Sequence, residues 1–579
     1  MERDAGPRLG ALGGLRTARL ALEPQDGGQG YRHRLADLVD EALSQHYHRE
    51  SERLGISSSA GVALAAVGSQ GRRDAGPTSD LDLMLVHDGR THPPERIGEL
   101  AEALWYPLWD AGLDLDHSVR SLAQCRSIAS ADLPAAVGLI EVRPVCGDES
   151  VVQQARSAVL QDWRSAARRR LPDLVDSIRA RADRHGELAH LSEPDVKQAR
   201  GGLRDAVVLR ALAATWLADR PHGPVDEAWT TLLDARDALC RITTRPATRL
   251  LRVHQQEVAT ALGLADADEL LARLAGAGRL ISASLDATVR DARQALRRPS
   301  AVLGARIVRG RWRPARLPQV ADGVIEHDGE LVLDADARPS SDPVLSLRAA
   351  AAAARTGLRL APSTVASLAN TPSPSPPWPT QARDDLLQLL RSGAAQLQVW
   401  ESLDLADVVT TWLPEWAAVR GRAQRSPVHV FTVDRHLVQT VVHACRAPRD
   451  LPERDVLLWA GLLHDIGKVR GDGDHSEVGA RIAGDIVERI GLERSEQERI
   501  VTLVRHHLVL AEAADGADID DPGVIATLAG LLDHDPITVV LLRHLSEADA
   551  RATGPAVWTP WRGRRMDRLT TRLLDHLTG

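Results

Sequence analysis

The chain has 579 residues, 44% of them apolar, which is enough for several hydrophobic cores and two to four domains. Its formal net charge of −8 argues against the basic surface of a nucleic-acid-binding protein. No apolar run approaches the roughly 18 residues of a membrane helix, and the first residues do not resemble a signal peptide. Four well-separated cysteines without a CxxC pair are typical of a reducing compartment. We therefore expect a cytoplasmic protein with no membrane or nucleic-acid partner.

The first part of the chain mixes helical and strand patterns. Residues 30–55 have the periodicity of a helix. Gly61–Val86 contains two short apolar runs around a Gly/Ser/Pro turn, which predicts a strand–turn–strand arrangement. Pro93–Gly112 then reads as a helix and "LDLDHSVRS" as another strand. The sequence thus predicts an α+β domain over residues 1–150.

The remainder is mainly helical. Residues 302–335 contain a few short strand patterns, and the prolines of Asn370–Thr380 indicate a loop or linker. We predict a multidomain α+β protein that divides into four parts, residues 1–150, 151–300, 301–380 and 381–579.

The stretch "AVGSQGRRDAGPTSDLDLML" carries the first candidate site. Asp80 and Asp82 alternate with leucines, so both project from one face of a strand. Two adjacent carboxylates repel unless a divalent cation offsets their charge, and oxygen ligands favour Mg²⁺ bound jointly with phosphates. Gly68 and Ser69 offer backbone N–H groups and a hydroxyl to the terminal phosphates of a nucleotide. Arg72 can add a bidentate phosphate contact.

A third carboxylate would act as base on the incoming hydroxyl and complete a two-metal arrangement. "GLDLDHSVR" offers Asp114 and Asp116, again on one strand face. A dinucleotide fold would need G-x-G-x-x-G opening a helix, and a P-loop would need a lysine, so neither fits; a polar hairpin without chemistry stays open. The G-S-x(10)-D-x-D pattern resembles the polymerase-beta-like nucleotidyltransferase superfamily. That resemblance implies attack on an α-phosphate with pyrophosphate as the leaving group.

The second candidate site lies in "LLWAGLLHDIGKVRGDGDHSEVGA". His464 and Asp465 end an apolar helix, with His436 on an upstream helix and Asp549 on a late one. A buried structural His–Asp pair is the alternative. The His…His-Asp…Asp order resembles HD-domain phosphohydrolases, which implies an all-α domain in which these four residues bind a metal that lowers the pKa of a bound water. Two further histidines could complete a second metal site or bind substrate phosphate, namely His475 and His507.

Both sites together resemble the bacterial PII uridylyltransferase/uridylyl-removing (GlnD) family. "GSQGRRDAGPTSDLDL" is similar to that family's GGxGRxExxPxSDxDL, with departures at Ser69, Arg73 and Asp74. "HSVRS", "LIEVRPVCGD", "HVFTVDRH" and "LVRHHLVL" also resemble family segments. In "EPDVKQARGGLRD" the residues in agreement are Lys197, Gly201, Gly202, Arg204 and Asp205.

The resemblance runs from about residue 60 to the C-terminus, and it assigns roles. In its register Asp114 rather than Asp116 is the third carboxylate, Lys197 binds the nucleotide and His507 is the family histidine. It implies transfer of UMP from UTP to a tyrosine of PII, with Mg²⁺, and hydrolysis of the modification at an HD site that holds Mg²⁺ or Mn²⁺. Actinobacterial relatives use ATP, so the base stays open.

The family continues into two glutamine-sensing ACT domains, whereas this sequence stops before them. The expectation is a short form without ACT domains, or a truncated sequence. Two alternative functions remain from the residues alone. One is a nucleotidyltransferase–phosphohydrolase with a different protein or small-molecule acceptor; the other is a regulatory scaffold without catalysis.

Overall fold

A computed structural model describes residues 12–23, 28–57, 59–296, 306–308, 311–313, 317–424, 426, 428–469 and 474–579. The chain divides into two compact units. The first comprises Met1–Ala189 and Glu193–Ser300, and the second comprises His190–Ser192 and Ala301–Gly579. The predicted four-part division is finer than this and stays a prediction.

The first unit combines one sheet with many helices. Its strands are β1 Val62–Ala66, β2 Leu81–His87, β3 Leu115–Ser121 and β4 Arg143–Gly147. Its helices are α1 Leu15–Ala21, α2 Gly28–Leu54, α3 Gly68–Arg72, α4 Pro94–Asp110, α5 Leu122–Ala131, α6 Leu133–Ile140, α7 Glu149–Ser165, α8 Ala167–His185, α9 Leu203–Ala213, α10 Pro224–Thr243, α11 Arg252–Ala261 and α12 Ala267–Leu296.

The sheet of the first unit is mixed, in the order β3-β2-β1-β4. β1 pairs antiparallel with β2 and β4, whereas β2 and β3 are parallel and joined through α4. Alternate side chains of β2, Leu81, Leu83 and Leu85, lie in a core with residues of α2 and α4 such as Leu43 and Leu104. This packing leaves the other face of β2 for Asp82. The mixed sheet with helices confirms the predicted α+β class.

The turn between β1 and β2 differs from the prediction of a simple strand–turn–strand. It contains the five-residue helix α3, which begins directly after β1. Arg73 ends that helix in the left-handed region, with φ of 62°. Glycine adopts this conformation without a steric cost, whereas a residue with a Cβ atom such as arginine does not.

The second unit is mainly helical, as predicted for residues 381–579. Its strands are β5 Arg306–Val308, β6 Arg311–Arg313, β7 Gln319–Ala321, β8 Val324–His327, β9 Glu330–Leu333 and β10 Arg359–Leu360. Its helices are α13 Leu345–Thr356, α14 Pro362–Leu368, α15 Thr380–Arg391, α16 Gln396–Leu405, α17 Val408–Trp412, α18 Val433–Ala444, α19 Arg454–Leu463, α20 His475–Ile490, α21 Arg494–Arg505, α22 Val509–Gly516, α23 Pro522–Leu531, α24 Pro536–Thr553 and α25 Pro560–Thr578.

One hydrophobic core extends through the second unit. It includes Val324 of β8, Leu347 of α13, Leu462 of α19 and Leu573 of α25. The proline-rich segment 370–380 is irregular, as predicted, yet its Trp378 is buried in this core. The small-strand region therefore shares a core with the helices that follow it.

Residues 190–192 belong to the second unit although they lie far from it in sequence. The backbone N–H of Thr432 donates to the carbonyl of His190, at 2.9 Å, and that of Ser192 donates to the carbonyl of Val430, at 3.3 Å. This short ladder leads directly into α18.

Within the described residues, no helix by itself has the length and apolar composition to cross a membrane. Pro522–Leu531 and Pro536–Thr553 meet that criterion only as a pair bent by 95°.

Candidate functional site

The predicted carboxylates lie on two adjacent parallel strands of the first unit. Asp82 of β2 is level with Asp116 of β3 in the strand register. One step earlier, the backbone N–H of Leu81 donates to the carbonyl of Asp114, at 2.8 Å. Asp80 and Asp114 are both exposed and precede their strands. The register therefore places Asp82 and Asp116 side by side on one face of the sheet, and it is Asp116, rather than Asp114, that lies beside Asp82.

Asp82 is the carboxylate that the protein surrounds most closely. Burial, together with the neighbouring Asp80 and Asp116, raises its pKa to about 6, against the opposing effects of Lys197 and the Ser69 backbone. Mutual repulsion of this kind is what a bound cation would relieve, so these residues fit Mg²⁺.

Gly68 lies against Asp82. It has φ of +55°, and a Cβ atom there would lie 2.6 Å from Oδ2 of Asp82. The Ser69 hydroxyl also faces this oxygen, at 3.5 Å. The glycine in the turn is therefore required by the position of the carboxylate, and the two predicted groups of residues meet at one place.

The segment that leads into Asp80 is held by buried arginines, which the sequence did not single out. Arg19 of α1 donates to the carbonyls of Gly76, at 3.2 Å, and Ser79, at 2.5 Å. Arg236 of α10 donates to the carbonyl of Asp74, at 2.7 Å. Burial lowers the pKa of Arg19 to about 10, opposed by Asp80 among its neighbours, so this cation stays charged at neutral pH.

Arg72 is committed to carboxylates in this structure. Its Nε donates to Asp74, at 2.8 Å, and its Nη1 donates to Glu141, at 3.2 Å. Arg210 donates to the same Glu141, at 3.2 Å. These contacts fix α3 against α6 and α9, and the predicted contact of Arg72 with phosphate stays a prediction.

In the second unit, the structure brings together three of the four predicted ligands, His436, His464 and Asp549. Each offers a ligand atom within 4.8 Å of the others. Nε2 of His436 lies 3.1 Å from Nε2 of His464 and 3.1 Å from Oδ1 of Asp549. Nδ1 of His464 donates to the carbonyl of Gly461, at 3.0 Å, so Nε2 is the ring nitrogen that faces the cluster. Nitrogen and carboxylate donors at this spacing fit a divalent metal.

Asp465 joins this cluster to a second one. Its Oδ2 lies 3.6 Å from Nε2 of His464, while its Oδ1 lies 3.5 Å from His507 and 3.9 Å from His475. Asp465, His475 and His507 form a second group with metal-ligand spacing. Nδ1 of His507 donates to a backbone carbonyl, at 2.7 Å, so its Nε2 also points a lone pair inward. Oδ1 of Asp465 is buried and has no hydrogen-bond partner among the described residues, as expected of a metal ligand.

Lys468 is a residue of this site that the sequence did not assign. Its Nζ lies 2.5 Å from Oδ2 of Asp465 and donates to Gln424, at 2.8 Å. Burial opposes ionisation of Asp465, but His464, Lys468 and His507 hold the pKa of this carboxyl well below its usual range. Lys197 and Lys468 are the only lysines in the chain, which otherwise uses arginine, and each lies beside a candidate metal-binding aspartate.

His429 is a second residue that the sequence did not assign. Its ring lies edge-on to His436, with 5.6 Å between centroids. Burial, Lys468 and His436 lower its pKa to about 4. It lies beside the ligands rather than among them.

Glycines bring the ligand-bearing segments together. A Cβ atom at Gly467 would lie 2.1 Å from the carbonyl oxygen of His475 and 2.3 Å from the backbone nitrogen of Gly479. The residues after His464–Asp465 can therefore approach the start of α20, which carries His475, only because position 467 lacks a side chain.

Three family models match separate parts of the chain. The nucleotidyltransferase family DUF294 matches residues 26–123, GlnD PII-uridylyltransferase matches 169–283, and the HD domain matches 433–535. The first segment contains the four carboxylates of the sheet. The third contains the predicted HD ligands except Asp549.

Relatives match over most of the chain. The bifunctional uridylyltransferase/uridylyl-removing enzyme of Streptomyces coelicolor is 46% identical over 100% of this chain and 68% of its own length. The enzyme of the same name from Mycobacterium tuberculosis H37Rv is 41% identical over 90% of the chain and 65% of its own length. That of Corynebacterium glutamicum is 35% identical over 90% of the chain and 72% of its own length. The chain thus spans about two thirds of these relatives. The matches, together with the converging ligand sets, show that it belongs to the family of bifunctional uridylyltransferase/uridylyl-removing enzymes.

Proposed function

We propose that this chain transfers UMP from UTP to a tyrosine hydroxyl of the signalling protein PII and hydrolyses the same phosphodiester at a separate HD site. One observation carries the proposal: a chain of this family holds a carboxylate set beside a glycine turn in one unit and convergent histidine and aspartate ligands in the other. We propose UTP rather than ATP as the nucleotide donor because the names of the matched relatives specify uridylyl transfer.

In the transferase site, Asp80 and Asp82 would hold Mg²⁺ together with a third carboxylate. The ion would offset the charge of the triphosphate as pyrophosphate leaves. The third carboxylate would accept the proton of the tyrosine hydroxyl. Alignment with the family's sequence pattern assigns this role to Asp114. The pairing of β2 with β3 favours Asp116, which lies beside Asp82. Gly68 and Ser69 lie against Asp82 and would supply donors to the phosphates.

In the HD site, one divalent ion would be held by His436, His464 and Asp549, and a second by His475 and His507, with Asp465 between them. Mg²⁺ or Mn²⁺ would acidify the water that attacks the phosphodiester. Lys468 adds a positive charge beside Asp465, which would help to hold the anionic phosphate. The four free cysteine thiols of the chain support the predicted cytoplasmic location.

The experiment is incubation of the purified chain with Mg²⁺, PII and each of the four nucleoside triphosphates, followed by intact mass measurement. The expected result is one UMP added to PII, with loss of labelling in Asp80→Asn and Asp82→Asn. The double variant His464→Ala, Asp465→Ala should label PII and fail to remove the label. Unchanged labelling in either aspartate variant would contradict the metal assignment. If PII stays unmodified while another protein or small molecule added in its place gains the nucleotide, the acceptor is a different substrate.

A further inference from the structure

Residues 193–204, which lead into α9, form a platform that is closed by hydrogen bonds. The backbone N–H of Val196 donates to the carbonyl of Thr248, at 2.9 Å, and Asp195 accepts from the Thr248 hydroxyl, at 3.1 Å. The N–H of Leu203 donates back to the carbonyl of Val196, at 2.9 Å, and that of Arg204 to the carbonyl of Lys197, at 3.1 Å. The loop is thereby closed on itself and tied to residues that precede α11.

Buried contacts fix the rest of the loop. A Cβ atom at Gly201, which has φ of +82°, would lie 2.3 Å from the carbonyl oxygen of Gly278 on α12. Asp205 is fully buried and accepts from the backbone N–H of Gly201, at 2.7 Å, and from Arg181. Arg200 is paired with Asp286, at 2.7 Å. These residues account for the glycines and the aspartate of "GGLRD" as parts of the scaffold.

Two cationic side chains on this platform have no partner among the residues that the structure describes. Most arginines of the neighbourhood are paired with carboxylates, as shown for Arg72, Arg181 and Arg210. In contrast, the side chains of Lys197 and Arg204 have no ion pair or hydrogen bond with any residue that the structure describes.

Both cations lie in the electrostatic field of the transferase site. Arg204 lies in the first turn of α9, and α9 is tied to α3 of this site because Arg210 and Arg72 pair with the same Glu141. Lys197 lowers the pKa of Asp82, while burial lowers the pKa of Arg204 and the charges of Asp195 and Asp82 oppose that effect. Arg204 is also within range of the cations Arg72 and Arg181. A guanidinium that stays exposed among other cations, rather than pairing with an acid, is placed for an anion that arrives from solution.

We infer that Arg204, presented beside Lys197 by the closed loop, binds the triphosphate of the nucleoside triphosphate substrate and fixes it opposite Asp82. This inference rests on the proposed transfer reaction and adds to it a residue that binds substrate. The guanidinium would donate two parallel N–H groups to phosphate oxygens, a geometry that the ammonium of Lys197 cannot supply.

The test is direct binding of a non-transferable UTP analogue, with its α,β-bridging oxygen replaced, to the full chain in the presence of Mg²⁺, measured by titration calorimetry. Arg204→Gln should weaken binding about 10- to 100-fold, as expected for loss of a charge-assisted hydrogen bond. It should also reduce the dependence of binding on salt concentration. Arg204→Lys should recover part of the affinity, since lysine keeps the positive charge but lacks the two parallel N–H donors of the guanidinium.

The matched control is Arg179→Gln, which removes one positive charge from α8. The Arg179 side chain is 66% exposed, and Asp176, the acid with which it pairs, is 3.9 Å away. The Arg179→Gln variant should bind the analogue with the same affinity as the unaltered protein. Thermal unfolding and the removal of UMP from modified PII should be unchanged in all three variants, so that a loss of affinity is not explained by unfolding of either unit.

Unaltered affinity of Arg204→Gln for the analogue would overturn the inference and leave the proposed function intact. Loss of affinity of equal size in Arg179→Gln would also overturn it, because a general charge effect would then explain the result. If the analogue binds and Arg204→Gln weakens it while PII is never modified, the role of Arg204 stands and the proposed acceptor is wrong.

Discussion

Replacement of Gly68 by alanine is the most direct perturbation of the transferase site. The new Cβ atom would lie 2.6 Å from Oδ2 and 3.3 Å from Cγ of Asp82. Ordinary contact begins at 3.4 Å, so the carboxylate would have to withdraw by about 0.8 Å. Alanine would also be held at φ of +55°, which costs about 1–2 kcal/mol for a residue with a Cβ atom.

The expected loss of activity follows from the displacement. Metal–ligand distances tolerate changes of about 0.2 Å, far less than the required movement. A misplacement of about 1 Å in a catalytic arrangement lowers rates by about 100-fold. We therefore expect Gly68→Ala to lower the rate of PII uridylylation by about two orders of magnitude, with a loss of about 1–2 kcal/mol in unfolding free energy.

The assay is the initial rate of UMP incorporation into PII, with removal of UMP from modified PII as an internal measure of folded protein. Gly98→Ala is the control in the same unit, since Gly98 lies in α4 and a Cβ atom there meets nothing within 4 Å. That substitution should leave transfer unchanged and stabilise the helix slightly. A Gly68→Ala protein that transfers UMP within threefold of the original rate would refute the contact between the glycine and Asp82.

Other residues give separate tests. His475→Ala should leave UMP transfer unchanged and slow the removal of UMP. It should also lower the bound metal by one ion per chain, as measured by elemental mass spectrometry, and an unchanged metal content would contradict a second metal site. Gly467→Ala should abolish removal and lower the melting temperature, because its Cβ atom would overlap His475 and Gly479. Arg19→Met should lower unfolding free energy in denaturant titrations by about 2–3 kcal/mol, since one buried and one partly buried carbonyl lose a charged donor. Excess chelator should stop both reactions and Mg²⁺ or Mn²⁺ should restore them; activity that persists without metal would count against both ligand sets.

Much of the fold was predictable because its signals are local. The alternation of "DLDL" indicates the strand that carries Asp82, and the apolar run before His464 indicates a helix. The five-residue helix between β1 and β2 was not predictable in this way. One turn of helix is too short for an apolar period to appear.

The candidate sites were predictable only where their residues follow a pattern in sequence. Asp114 and Asp116 are two residues apart in a segment that the sequence predicts as one strand, so alternation cannot choose between them. The choice needs the hydrogen-bonded register with β2. Arg19 acts through a tertiary contact with Ser79, which no spacing along the chain encodes. Lys468, in contrast, pairs with Asp465 only three residues before it, so this contact is local in sequence. Two signals in the sequence could have identified Lys468, namely the scarcity of lysine and its position three residues after Asp465.

The short ladder formed by residues 190–192 affects how the enzyme can be dissected. A recombinant fragment that begins at residue 301 would lack the backbone partners of Val430 and Thr432, just ahead of the helix that carries His436. A fragment that begins at residue 381 would also discard core side chains such as Val324 and Leu347. Poor hydrolysis by either piece would therefore reflect a damaged scaffold, and should not be taken as proof that phosphodiester cleavage depends on an intact transferase.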